Sequence, residues 1–204
     1  FVGNAFVADA GSNLVHRKIL QGGESVLPRG ERPADERESE FLASTDNWFR
    51  PVQLANGPDG CLYVLDMYRE VIEHPWSLPD GIKRHVDLNS GNDRGRIWRI
   101  TPEDFVRPVG PRLAKATSGE LVSVLSSPNA WHRETAARLL FERQDLKVVP
   151  ALSKLAAGGK SHLARLHALY ALAGLGKLDQ SRLLASMGDE HSVLREHALK
   201  LAEP

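Results

Sequence analysis

Four clusters of side chains in this chain have the types and spacing that chemistry needs. The first is Asp46-Asn47-Trp48-Phe49-Arg50-Pro51. There, Arg50 sits in a backbone stiffened by an aromatic residue and a proline, so its planar fork could grip a carboxylate or a quinone oxygen bidentately. The second is Asp66-Met67-Tyr68-Arg69-Glu70, at the exit of an apolar run. Asp66 is of the type that ligates a hard cation or orients Arg69, and Tyr68 has a hydroxyl to donate. The third holds Glu73-His74-Pro75 and Lys83-Arg84-His85. An imidazole is the natural base for taking a proton from an alcohol, and Pro75 and nearby acids favour His74 for that role. The fourth is Asn92-Asp93-Arg94-Gly95-Arg96-Ile97-Trp98-Arg99-Ile100, where strand alternation places Arg94, Arg96 and Trp98 on one cationic face. Each cluster also has a plainer reading. Arg50 could pair with a neighbouring Asp, Asp66 could form a structural ion pair, and a lone loop histidine is commonly a surface residue.

The elements that must position these clusters follow from the hydrophobic pattern. Up to about Phe105, apolar residues come in short runs broken by Gly, Pro, Asn and Asp, the pattern of strands joined by turns. Val2–Ala8 and Leu14–Leu20 bracket an Ala-Gly-Ser-Asn turn and predict a hairpin. Glu40–Thr45, Pro51–Ala55, Cys61–Asp66 and Arg94–Thr101 are further strands, and Gly57-Pro58-Asp59-Gly60 is a tight turn between two of them. Gln21–Ser39 reads as a surface loop, and Tyr68–Asn92 as an excursion too long for a simple hairpin.

From Leu113 the period becomes helical. Ser118 is a candidate N-cap, and Arg133, Arg165 and Arg195 recur at nearly one repeat length, each leading into an Ala- and Leu-rich segment. Helical pairs of this kind resemble HEAT repeats, which bury their faces by stacking. The histidines of this half, His132, His162, His167, His191 and His197, show no metal-ligand spacing.

Composition narrows the functional classes. In 204 residues, 26 Lys and Arg balance 26 Asp and Glu, so no field of one sign calls for nucleic acid or a polyacidic substrate. Cys61 is the single cysteine, which excludes an internal disulfide, a thiolate zinc cluster and a Cys-x-x-Cys-His haem attachment within the chain. Gly95 falls short of a phosphate loop, and no apolar run reaches the roughly 20 residues of a membrane span. Phe1 is not an initiator methionine, and the first residues already read as strand. The expectation is a chain that starts inside a longer protein.

Asn13 to Arg17, Asp46 to Pro51, Gly57 to Arg69 with Ile72 and His74, and Arg94 to Ile100 are similar to the large multidomain membrane-bound dehydrogenases of planctomycetes and related bacteria. The propeller of those proteins resembles soluble quinoprotein glucose and sorbosone dehydrogenases. The resemblance implies a mixed, two-domain fold: an all-β antiparallel partial β-propeller over 1–105, a linker at 106–112, and an all-α HEAT-like solenoid over 113–204. It implies a periplasmic or otherwise extracytoplasmic protein whose full-length propeller oxidises a sugar or other alcohol.

On that reading His74 is the base and Arg50, Arg69, Arg94 and Arg96 hold pyrroloquinoline quinone. Trp48, Tyr68 and His85 contact substrate, and Asp66 is a calcium ligand. Haem would lie only on a separate cytochrome c-type domain or partner, and the fragment itself would be inactive. The alternative is a non-catalytic carbohydrate- or protein-binding scaffold, and whether the protein is an enzyme is left open by the sequence.

Overall fold

The computed structural model describes residues 1–21 and 28–203. The chain divides into two compact units, the first built mainly from residues up to Val106 and the second from Arg107 onward.

In the first unit, β1 (Asn4–Asp9) and β2 (Leu14–Gln21) pair antiparallel, from Asn4 opposite Ile19 to Asp9 opposite Leu14. The Asp9 carboxylate accepts the Ser12 N–H at 2.9 Å, and Asn13 turns the chain at a φ of 58°, a left-handed conformation that asparagine tolerates. The far edge of β2 takes two short strands side by side, β3 (Arg29–Glu31) and β4 (Leu42–Ala43).

The second sheet runs in chain order: β5 (Pro51–Asn56), β6 (Leu62–Asp66) and β7 (Arg96–Ile100), all antiparallel. Pro51 lacks a ladder N–H and is accommodated at the first residue of an edge strand. Gly60, at a φ of 82°, lets the chain turn from β5 into β6. Alternation sets Leu62, Val64 and Asp66 of β6 opposite Ile100, Trp98 and Arg96 of β7 on one face. A small apolar core forms where Val15, Phe49 and Val64 are buried among Phe6, Phe41, Leu42, Leu54 and Ile100. Between β6 and β7 the chain makes a 3₁₀ turn at Pro75–Ser77 and the single-turn α1 (Asp80–Lys83).

The second unit holds α2 (Ser118–Val124), α3 (Ala130–Arg143), α4 (Val149–Gly158), α5 (His162–Gly174), α6 (Gln180–Met187) and α7 (Ser192–Ala202). Successive helices pack as pairs, α2 on α3, α4 on α5 and α6 on α7, and α5 packs against both α3 and α7. Leu121, Leu125, Leu140, Leu152, Leu169, Leu172 and Leu194 form the core, none more than 1% exposed. The caps are local and specific. Thr117, one residue before the Ser118 predicted from sequence, closes a reciprocal capping box with Glu120. Beyond α5, Gly176 at a φ of 64° lets Lys177 N–H reach Leu172 O at 2.8 Å, which ends the helix in a Schellman motif.

The expected fold class is overturned. The strands form two separate antiparallel sheets, one of four strands and one of three, and neither closes. Together with seven helices among the described residues, one of them inside the first unit, this is not a closing β-propeller followed by all-α repeats. Turn residues and alternation report which neighbours pair, whereas ring closure depends on contacts between distant segments that no local pattern encodes. The predicted Gln21–Ser39 loop contains β3 and a 3₁₀ turn at Ala34–Glu36, and its residues 22–27 lie outside the described residues.

Candidate functional site

Asp66 organises the first unit. It is the last residue of β6, and its side chain is fully buried. Its Oδ1 accepts Arg50 N–H at 2.8 Å and Tyr68 N–H at 2.9 Å, and its Oδ2 accepts Arg96 Nε–H at 2.8 Å and Trp98 Nε1–H at 3.0 Å. Burial pushes this carboxyl upward, but the bonds from Trp98, from the Arg50 and Tyr68 backbones and from Arg96 outweigh it and hold the pKa below the ordinary carboxylate value. The β7 alternation makes this convergence possible, because Arg96 and Trp98 are two residues apart on the face that Asp66 shares.

Arg96 is held on every side. Its guanidinium lies 3.8 Å from the centre of the Tyr68 ring and 5.0 Å from that of Trp98, and a second donor reaches Asp46 Oδ2 at 3.1 Å. Tyr68 stacks obliquely on Trp48, with centroids 5.2 Å apart. Tyr68 adopts a φ of 56°, a strained conformation for an aromatic residue, and Gly91 packs so close to its carbonyl that any Cβ there would collide with it.

Beside this cluster opens a cleft of about 230 Å³, lined by Leu42, Ala43, Phe49, Trp98 and Ile100, with Ser44, Asp46 and Arg96 as its polar groups. Trp98 is 44% exposed while its N–H is pinned by Asp66, so a fixed indole is presented to the opening.

The structure brings together Trp48, Tyr68, Asp66 and Arg96 of the predicted site residues, with Arg50 and Arg69 just behind them. Arg50 spends its guanidinium on backbone carbonyls: Arg69 at 3.0 Å, Glu70 at 2.7 Å, Ala10 at 3.0 Å and Gly11 at 3.4 Å. Arg69 likewise donates to the carbonyls of Met67, Tyr68 and Arg94. Arg94 is exposed and paired with Asp93. His74 is exposed, and its Nδ1 accepts Trp76 N–H as the N-cap of the 3₁₀ turn; His85 is also exposed, and neither histidine lines the cleft.

Of the four arginines that the resemblance assigns to the quinone, Arg96 alone lines the cleft, and the calcium role of Asp66 does not fit its bonding. Arg50 spends all three guanidinium nitrogens on carbonyls, whereas Arg69 commits Nη1 to carbonyls, Arg96 commits Nε and Nη2 to carboxylates and Arg94 pairs with Asp93. Both oxygens of Asp66 are already taken by two protein donors each, which leaves no lone pair directed at a calcium ion. No group of three or more His, Cys, Asp and Glu among the described residues is arranged to hold a metal.

The cleft residues absent from the predicted site are Leu42, Ala43, Ser44, Asp46, Phe49, Trp98 and Ile100. Trp98 had a legible signal, its two-residue spacing from Arg96. The apolar ones carry no mark that separates a cleft wall from a core. A second polar cluster centres on His16 of β2. Its Nδ1 is hydrogen-bonded to Glu40, which also accepts Arg32 Nη2 at 2.8 Å. The Arg32 bond and then the His16 bond hold the Glu40 carboxyl below its usual range.

Fold and site thus define a two-unit protein whose sheet unit carries a small, mostly apolar cleft with one ion pair among its polar groups. The chain belongs to the family described as Domain of unknown function (DUF7133), which matches residues 1–104 and so covers that unit. No curated protein and no solved structure matches the chain. No helix among the described residues is long and apolar enough to cross a membrane.

Proposed function

We propose that the sheet unit is a non-catalytic binding module for a small neutral carbohydrate ring. The observation that carries this reading is Trp98, a half-exposed indole locked by its bond to Asp66 at the wall of the cleft. A fixed aromatic surface suits the C–H face of a sugar, and Ser44, Asp46 and Arg96 supply acceptors and donors for its hydroxyls. The cleft volume of about 230 Å³ lies below the 300–1,000 Å³ of sites for drug-sized ligands, which favours a single ring. Because Trp98, Asp66 and Arg96 are mutually bonded before any ligand arrives, little ordering cost opposes binding.

Oxidation of the bound sugar would need a free base at the cleft, and the carboxylate that lines it, Asp46, is paired with Arg96 at 3.1 Å. The test is calorimetric titration of the chain with monosaccharides and disaccharides, alongside Trp98→Ala and a dye-reduction assay in the presence of added quinone and calcium. Saturable heat with at least one sugar, lost in Trp98→Ala and without dye reduction, is the expected outcome. Dye reduction would move the assignment to an oxidoreductase, and no saturable heat with any sugar would remove the carbohydrate reading.

A further inference from the structure

Two features of the cleft exceed what a plain hexose can use. The first is a spare donor. Arg96 gives Nε–H to Asp66 at 2.8 Å and Nη2–H to Asp46 at 3.1 Å, whereas its Nη1 has no partner among the described residues, and the side chain remains 31% exposed. The guanidinium is held in place by those two bonds and by the Tyr68 ring 3.8 Å from it. Because two carboxylates already match its charge, what it offers a ligand is a fixed N–H more than an unpaired cation.

Beside it stands an acceptor with capacity left. Asp46 takes Trp48 N–H on Oδ1 at 3.0 Å and Arg96 on Oδ2, and its side chain is 42% exposed. A carboxylate has about four acceptor sites, so a further donor can be accommodated.

The second feature is the apolar wall. Leu42, Phe49 and Ile100 line the cleft and also belong to the cluster around Val15 and Val64, with Phe49 only 4% exposed. The cleft therefore reaches down to the edge of the hydrophobic core. A sugar hydroxyl pressed against that wall gives up water and gains no partner, while a methyl group placed there is favoured.

We infer that the ligand of this cleft is an N-acetylated amino sugar, an inference that rests on the carbohydrate reading above and narrows it. The acetamido group is neutral and combines an acceptor, a donor and a methyl. Its carbonyl accepts Arg96 Nη1–H, its N–H donates to Asp46, and its methyl meets Leu42, Phe49 and Ile100, while the C–H face of the ring rests on Trp98. Each rival substituent fails on one of these counts. A free ammonium pairs with Asp46 but sits beside a guanidinium, and a carboxylate pairs with Nη1 but meets Asp46. A hydroxyl serves the polar pair and leaves the apolar wall without a partner.

The experiment titrates the whole chain calorimetrically with N-acetylglucosamine and N-acetylgalactosamine, and for comparison with glucose, galactose, glucosamine and the N-formyl analogue of whichever acetylated sugar binds. At least one acetylated sugar is expected to bind at least about tenfold more tightly than its parent hexose, for one added hydrogen bond and one buried methyl. The formyl analogue, which keeps the amide and lacks the methyl, should bind about fourfold more weakly than the acetyl form. In an isotope-filtered NOE spectrum the acetyl methyl should contact the methyls of Leu42 and Ile100. Equal affinity for the parent hexose, or a formyl analogue that binds as well as the acetyl form, would overturn this inference while the carbohydrate reading stands. Acetyl contacts confined to side chains outside the cleft would also overturn it. The absence of saturable heat with every one of these sugars would remove both readings together.

Discussion

The two units use arginine in opposite ways, and the contrast shows what holds each of them together. In the helical unit Arg133, Arg165 and Arg195 perform one repeated task, tying a helix to the loop before it, while a broad leucine core supplies the main apolar burial. In the sheet unit Arg50 and Arg96 perform tasks that occur once. Arg50 gathers four carbonyls from two loops, and Arg96 joins two carboxylates and two rings. There the buried apolar cluster among the described residues is small, centred on Val15, Phe49 and Val64, so buried polar nodes must specify the arrangement that apolar packing alone leaves loose. Repetition makes a unit extensible, whereas a network used once makes a site.

That contrast fixes where each unit is fragile. The largest effect is expected from Asp66→Ala, which strands the Arg96 guanidinium, the Trp98 indole N–H and two backbone N–H groups in one stroke. It should cost the sheet unit about 3–5 kcal/mol, the range for removing one partner of a buried charged pair. Hydrogen exchange read separately in the two units measures it, with the helical amides unaffected. Equal loss of protection in both units would break the comparison.

Next is Leu169→Ala in α5, expected to destabilise the helical unit by about 3 kcal/mol, as for a fully buried leucine whose surroundings cannot collapse. The same exchange measurement should leave the sheet unit untouched.

Arg50→Ala follows, at about 2–3 kcal/mol for the loss of several charge-assisted bonds to carbonyls. Because Arg50 is a tie between loops and does not line the cleft, the variant should retain sugar affinity at temperatures where it remains folded. Lost affinity in a folded Arg50→Ala protein would return Arg50 to the site.

The smallest effect separates the units by pH. Burial, and then the charge of Arg133, push the His167 imidazole below its ordinary value of 6.5. The unfolded chain therefore takes up this proton before the folded one does, so the contribution is complete above pH 6.5 and is lost as pH falls below it toward the folded value. Asp66 is depressed from 3.8, so its contribution is complete above that pH and disappears only below it. Between pH 6.5 and 4.5 the melting of the helical unit should therefore soften while that of the sheet unit holds, and His167→Gln should flatten the helical slope. A sheet unit that weakens first would contradict this ordering.

Much of the local structure was legible in the residues. Gly57-Pro58-Asp59-Gly60 marked the turn before β6, the alternation of Arg96, Trp98 and Ile100 marked β7, and the spacing of Arg133, Arg165 and Arg195 marked the starts of α3, α5 and α7. The Ser118 cap was misplaced by one residue because Thr117-Ser118-Gly119-Glu120 satisfies the capping box from Thr117. The architecture was not legible: the same turns and alternation serve a ring of blades or two small open sheets, and only the contacts of distant segments decide between them.

The site was half legible. Residue type drew attention to Asp66, Tyr68 and Arg96, which the structure brings together, but it could not say that the donors of Arg50 were committed to carbonyls, because those carbonyls belong to residues up to 40 positions away. Nor could it tell Leu42, Phe49 and Ile100 apart from core.

The most direct test of the central claim, that the Asp66 node holds Trp98 as the recognition surface of a sugar site, is a nitrogen-15 correlation spectrum recorded while monosaccharides are titrated into the chain. The account predicts a downfield, slowly exchanging Trp98 indole N–H that shifts saturably with at least one sugar, together with the amides of Ser44 and Asp46. A Trp98 indole signal that no sugar moves, or saturable shifts confined to residues remote from the cleft, would contradict it.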